Sequence, residues 1–126
     1  MADLAPPVVL VVDDNDDTRT MYADLLRMAG FEVKLAANGE EALAAADQRP
    51  SVIIMDLSMP GLNGWEATRR LKTGARTKDI PIIVLTAHAL DHYRDVAVAA
   101  GCDEFLAKPC ALDDLVAAIR RALVRG

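Results

Sequence analysis

The sequence predicts an α/β protein in which a parallel sheet is sandwiched between helix layers. Three observations carry that expectation. Three short runs are apolar at every position, strand-like and helix-like segments alternate strictly, and the chain has 126 residues, the size of one domain. Val8-Val9-Leu10-Val11-Val12 opens the series, with the unbroken apolar character of a strand covered on both faces. Met21, Tyr22, Leu25, Leu26 and Ala29 then make one apolar helix face, closed by Gly30 in the position of a C′ glycine. Glu32–Ala36 is a weaker, flanking strand. Asn38-Gly39-Glu40-Glu41 opens a second helix, with Asn38 as N-cap and acids in the first turn. Val52-Ile53-Ile54-Met55 is the next apolar strand, followed by a helix over 63–73. Ile82-Ile83-Val84-Leu85 is the last of the three, followed by a helix over 90–100 that Gly101 stops. Glu104–Ala107 is a second flanking strand and 112–124 the final helix. Five such units imply right-handed crossovers.

Composition narrows the function. Fourteen Lys and Arg against nineteen Asp and Glu give a net charge of −5, and no dense basic run occurs. With only five aromatic residues as well, the chain lacks the basic and stacking surfaces that nucleic acids require. The negative charge is concentrated: residues 1–56 carry −7 and residues 57–126 carry +2, with five of the early acids at Asp3, Asp13, Asp14, Asp16 and Asp17. Apolar stretches reach about five residues, far short of the roughly 18 of a membrane span. The opening Met-Ala-Asp-Leu-Ala-Pro-Pro lacks the positive region of a signal peptide. Cys102 and Cys110 have no repeated CxxC spacing and read as two reduced thiols. A cytoplasmic location is expected.

Ligands of doubly wound sheets bind beyond the carboxyl ends of the strands, where strand order reverses. Asp13-Asp14 follow the first strand, Asp56 the third, Thr86 the fourth and Lys108 the fifth, so all reach one rim. Singly, such acids read as ordinary helix caps; together they make a site. Three converging carboxylates repel one another, and the Lys108 ammonium and a hard divalent cation would relieve the strain. Oxygen ligands with no His or Cys beside them select Mg²⁺ over zinc. A carboxylate beside Mg²⁺, facing a hydroxyl and an ammonium, is equipped for phosphoryl transfer to an aspartate. The metal and Lys108 would neutralise charge on the equatorial oxygens, and the Thr86 hydroxyl would donate to one of them.

Four motifs, Val-Val-Asp-Asp-Asn, Met-Asp-Leu-Ser-Met-Pro-Gly-Leu-Asn-Gly, Val-Leu-Thr-Ala and Lys-Pro, resemble the receiver (CheY-like) domain of two-component response regulators. The resemblance covers about residues 7–124, a single receiver domain. It implies a flavodoxin-like (βα)5 fold with strand order 2-1-3-4-5. It implies that Asp56 accepts a phosphoryl group from a phosphohistidine on a histidine kinase or histidine phosphotransfer protein. Asp14 would bind Mg²⁺ directly and Asp13 through water, with Asp56 and the Ser58 backbone carbonyl as further ligands. Thr86 and Lys108 would hold phosphoryl oxygens, Thr86 and Phe105 would form the switch, and Ser58 and His88 would tune the lifetime of the phosphorylated state. Met59-Pro60-Gly61 and Asn63-Gly64 would form turns around the acceptor, and the Lys108–Pro109 peptide would be cis. The output surface would comprise 90–100, 104–107 and 112–124, on a monomer or weak dimer. Such a domain promotes its own phosphorylation and dephosphorylation without turning over a separate substrate. The chain ends directly after the fifth helix, which favours a stand-alone receiver or phosphorelay intermediate over one excised from a hybrid histidine kinase or a DNA-binding regulator.

A rival reading comes from Asp14-Asn15-Asp16-Asp17-Thr18, which fits the DxDxT opening of haloacid-dehalogenase-type phosphohydrolases. Asp14 would then be the nucleophile and Asp16 the general acid, with Thr86, Lys108 and Asp113-Asp114 completing the site. That scheme puts Asp113-Asp114 in the first turn of a helix instead of at a strand end, and it leaves Asp56 without a role. His88 and His92 have zinc-compatible i, i+4 spacing, but no third ligand is evident, so they read as surface histidines. Trp65 reads as a packing or partner-contact residue, and Arg69, Arg70 and Lys72 as a solvated helix face. No Gly-rich nucleotide loop occurs, so ATP is not the expected phosphodonor.

Overall fold

The computed structural model describes residues 6–57, 63–87 and 91–125, with the side chains of 91–93 and 125 left undescribed. Strands β1 (Val8–Val12), β2 (Glu32–Ala36), β3 (Val52–Met55), β4 (Ile82–Thr86) and β5 (Glu104–Ala107) alternate with five helices. These are α1 (Asp16–Met28), α2 (Gly39–Ala46), α3 (Gly64–Thr73), α4 (Asp91–Ala100) and α5 (Leu112–Arg125). The strands form one parallel sheet in the order 2-1-3-4-5.

The unbroken apolar runs have a simple cause. Successive strand residues point to opposite faces, and here each face meets helices. Val9 and Val11 of β1, Val52 and Ile54 of β3, and Ile83 and Leu85 of β4 enter one core. There they meet Tyr22, Ala23 and Leu26 of α1 and Leu115, Ala118 and Ile119 of α5. Leu10, Val12, Ile53, Met55 and Ile82 enter the other, against Ala42 and Ala46 of α2 and Ala67 and Leu71 of α3. The edge strand β2 has helices on fewer of its positions and exposes Glu32, Lys34 and Leu35.

The buried stripe of α1 runs through Tyr22, Ala23 and Leu26. Met21, expected on that face, is 48% exposed: it lies beside the i, i+3, i+4 row, and the smaller Ala23 takes the inward place. Gly30 and Gly101 end α1 and α4 with φ of +100° and +105°, values that favour glycine. Lys72, expected on a solvated face, instead bridges the segments just before β4 and β5. Its Nζ donates to the Ile80 carbonyl at 3.1 Å and to Asp103 at 3.0 Å. Arg69 and Arg70 do face solvent, where they pair with Glu66 and hold its carboxyl below the usual range.

Candidate functional site

Three helices are capped in the same way. Asn15, Asn38 and Asn63 accept the backbone N–H of Thr18, Glu41 and Glu66 at 2.9, 2.8 and 3.0 Å. Because Asn15 caps α1, neither Asp13 nor Asp14 is spent on that task. Their reading as ordinary caps fails on this point.

The sheet ladder places the rim. One residue past each strand the backbone pairing continues. Asp13 N–H donates to the Ala36 carbonyl at 3.1 Å, Asp56 N–H to Val12 at 3.0 Å and Lys108 N–H to Thr86 at 2.9 Å. Thr86 itself is the last residue of β4 and fully buried. Since β1 lies between β2 and β3, the chain reverses direction across the sheet there, and Asp13 and Asp56 flank the crevice this creates.

Carboxylate oxygens of Asp13, Asp14 and Asp56 all lie within 4.8 Å of one another. Asp13 and Asp56 are buried and Asp14 is exposed, so the cluster has two fixed walls and one open side. Lys108 Nζ sits 2.6 Å from Asp13 Oδ2 and 4.0 Å from Asp56 Oδ2. Among the described residues, the Lys108 ammonium pairs with two of the three clustered carboxylates, which leaves a net negative charge there. An all-oxygen donor set with residual negative charge and an open side fits a hard divalent cation. The Lys108–Pro109 peptide is cis.

Two further residues connect this rim to neighbouring elements. Phe105 pairs with Val84 across β4 and β5 and packs with Trp65 and Cys102 against Leu57, Val84 and Ala97. Leu57 is the residue after Asp56, so the aromatic ring and the acidic cluster share a wall. Gly64, expected both at the opening of a helix and in a turn around the acceptor, is the first residue of α3, and its N–H donates to the Leu57 carbonyl at 3.1 Å. A Cβ there would lie 2.0 Å from the Asp56 carbonyl oxygen. The sequence signal for this contact was a glycine at the mouth of a helix, which by itself does not reveal what it touches.

Other candidates stand apart. Asp113 and Asp114 occupy the first turn of α5, where acids favour the helix dipole, which removes the late acidic pair that the phosphohydrolase reading needs. Cys102 and Cys110 are both free. Burial, assisted by the Asp103 carboxylate, pushes the Cys102 thiol up to about 11. Burial, with Asp114, likewise raises Cys110. Ser58, the Met59-Pro60-Gly61 segment, His88 and Leu90 lie outside the described residues, as does the side chain of His92. No helix among the described residues is long and apolar enough to cross a membrane.

Comparison with known proteins agrees with this geometry. The model of the response regulator receiver domain matches residues 9–120. The transcriptional regulatory protein PrrA of Mycobacterium tuberculosis is 40% identical over 120 residues, which make up 94% of this chain and 51% of PrrA. The chain thus spans about half the length of the curated relatives it matches. Among solved structures, the chemotaxis protein CheY4 of Vibrio cholerae is 36% identical with a TM-score of 0.88, covering 94% of this chain and all of that one. The receiver domain of the sensor histidine kinase PA1611 from Pseudomonas aeruginosa is also 36% identical, with a TM-score of 0.89 and coverage of 95% and 99%. That structure has a magnesium ion coordinated in its active-site cleft. A family match over nearly the whole chain, on a sheet of the same order, makes this chain a member of the response regulator receiver domain family.

Proposed function

We propose that the domain is a phosphorylation-controlled switch with Asp56 as acceptor, Mg²⁺ as cofactor and a histidine kinase or histidine phosphotransfer protein as donor. The observation that carries this reading is the Lys108 ammonium within 4.0 Å of Asp56 Oδ2, beside two further carboxylates. An Asp56 oxygen attacks phosphorus in line with the leaving group, and the phosphoryl group moves from the donor imidazole to the carboxylate. Asp14, Asp13 and Asp56 would hold the metal, which when bound neutralises charge on the transferring oxygens. Lys108 supplies a second positive charge beside Asp56, and the Thr86 hydroxyl donates to a phosphoryl oxygen. Withdrawal of Thr86 toward that oxygen leaves room for Phe105, and the change reaches α4, β5 and α5, where a downstream protein binds. The domain acts in the cytoplasm and catalyses only its own phosphorylation and dephosphorylation.

The test is chemical. Incubation with acetyl phosphate and Mg²⁺ is expected to add one base-labile phosphoryl group, mapped by mass spectrometry to Asp56 and absent from Asp56→Asn. Mapping to Asp14, or to any Ser or Thr, overturns the assignment.

A further inference from the structure

We propose that Arg19 is a positioning residue for the acidic site, holding the loop between β1 and α1 in the form that presents Asp14 to a divalent cation. The proposal rests on the Mg²⁺ reading above and adds to it a residue outside the cluster.

Arg19 is the fourth residue of α1, yet its side chain is only 14% exposed. Its Nη1 donates to the main-chain carbonyl of Asp13 at 2.7 Å, and its Nη2 donates to the Asp16 carboxylate. The Asp13 carbonyl belongs to the peptide that joins the two acids, so the bond from Nη1 fixes the plane from which Asp14 departs. On the other side, Asp13 Oδ1 accepts the Asn15 N–H at 2.9 Å, and Asn15 Oδ1 accepts the Thr18 N–H at 2.9 Å. Asp14 is exposed between these anchors, so the backbone around it sets where its carboxylate points. Groups that orient metal ligands from behind commonly govern affinity as strongly as some ligands do.

The chemistry of the side chain fits the task. Two acceptors, a carbonyl and a carboxylate, are met by two nitrogens of one rigid fork, which a single ammonium does not reproduce. The sign of the effect separates positioning from plain electrostatics. A nearby cation repels a divalent ion, so loss of charge alone strengthens metal binding. Loss of the anchor weakens it.

The experiment measures Mn²⁺ bound to the full chain from the free-ion signal in electron paramagnetic resonance, with Mg²⁺ as competitor. Arg19→Gln and Arg19→Lys are each expected to weaken both ions by about tenfold. In an Asp14→Ala background the Arg19→Gln change is expected to cost less than about twofold, because the group it positions is gone. Thermal unfolding without metal shows that each variant is folded, and Arg19→Lys keeps the charge should Arg19→Gln not fold. Affinity within about twofold of wild type in Arg19→Lys, or tighter binding in Arg19→Gln, overturns the proposal. So does an undiminished Arg19→Gln effect in the Asp14→Ala protein, which marks a general structural role. Wild-type protein that binds neither ion overturns the metal reading itself.

Discussion

The Lys108 ammonium rests on Asp13, 2.6 Å from its Oδ2, and stands 4.0 Å from the Asp56 Oδ2. The positive charge is thus held closer to Asp13 than to Asp56, the proposed acceptor, and screens both acids. Removing it has opposite effects on stability and metal binding. Lys108→Ala removes the ammonium that pairs with the buried Asp13 carboxylate, and a loss on the order of 3–5 kcal/mol is expected without metal. The same change removes a charge that repels a divalent cation. Even at the dielectric constant of water, two unit charges about 4 Å apart interact by about 1 kcal/mol, and a dication doubles that figure. Mg²⁺ affinity is therefore expected to rise on the order of tenfold, while labelling by acetyl phosphate falls. Calorimetric titration with Mg²⁺ checks this, and unchanged affinity would show that Lys108 does not share the metal's field.

The rim was legible in the sequence because it depends on ladder geometry alone. Each all-apolar strand announces its own end, and the next residue is held there by one more backbone bond, as with Asp13 and Asp56; Lys108 is held in the same way after the weaker β5. The strand order came from resemblance, since alternation by itself does not say which strand lies beside which. What stayed hidden depends on contacts between distant segments. Met21 and Ala23 compete for the inward face of α1, and periodicity does not arbitrate between neighbours at its margin. Lys72 has the composition of a solvated residue, and only the fold puts Asp103 and the Ile80 carbonyl within its reach. Arg19 is hidden for the same reason: its target is a backbone oxygen, which has no letter in the sequence.

Gly64 yields a steric prediction. A methyl group there meets the Asp56 carbonyl oxygen at 2.0 Å and the Leu57 Cα at 2.7 Å, both backbone atoms that cannot rotate aside. Gly64→Ala must therefore push the start of α3 away from Asp56, the proposed acceptor. A destabilisation of about 1–3 kcal/mol is expected, along with an Asp56 labelling rate about 10–100-fold lower, the scale of a 1 Å misplacement. Gly30→Ala is the control. It has a φ of +100° and open space around it, so it too destabilises, but it lies away from the rim and leaves the labelling rate alone. Chemical denaturation and acetyl phosphate kinetics on both variants separate the two effects. A Gly64→Ala protein that labels as fast as Gly30→Ala would show that the acceptor tolerates movement of α3.

The final prediction concerns the resting position of Phe105. The Arg94 guanidinium carbon stands 5.1 Å from the centroid of its ring, a cation–π contact between α4 and β5. Beneath the ring lie Leu57, Val84 and Ala97, so Phe105 has an apolar surface on one side and a cation on another. In the proposed switch the ring moves inward as Thr86 withdraws, and the Arg94 contact must then be given up. Such a contact is worth about 0.5–1 kcal/mol at an exposed site, and Arg94 is exposed. Arg94→Ala is therefore expected to raise the inward population of unphosphorylated protein by about two- to fivefold. Arg94→Lys, with a weaker contact, is expected to fall between that and wild type. Ring-proton chemical shifts of Phe105, recorded with and without beryllofluoride, report the population directly. The Arg94→Ala spectrum without beryllofluoride is expected to lie part of the way toward the activated spectrum. If the ring shifts of Arg94→Ala coincide with those of wild type in both states, the cation does not bias the switch, and the contact is a surface neighbour only.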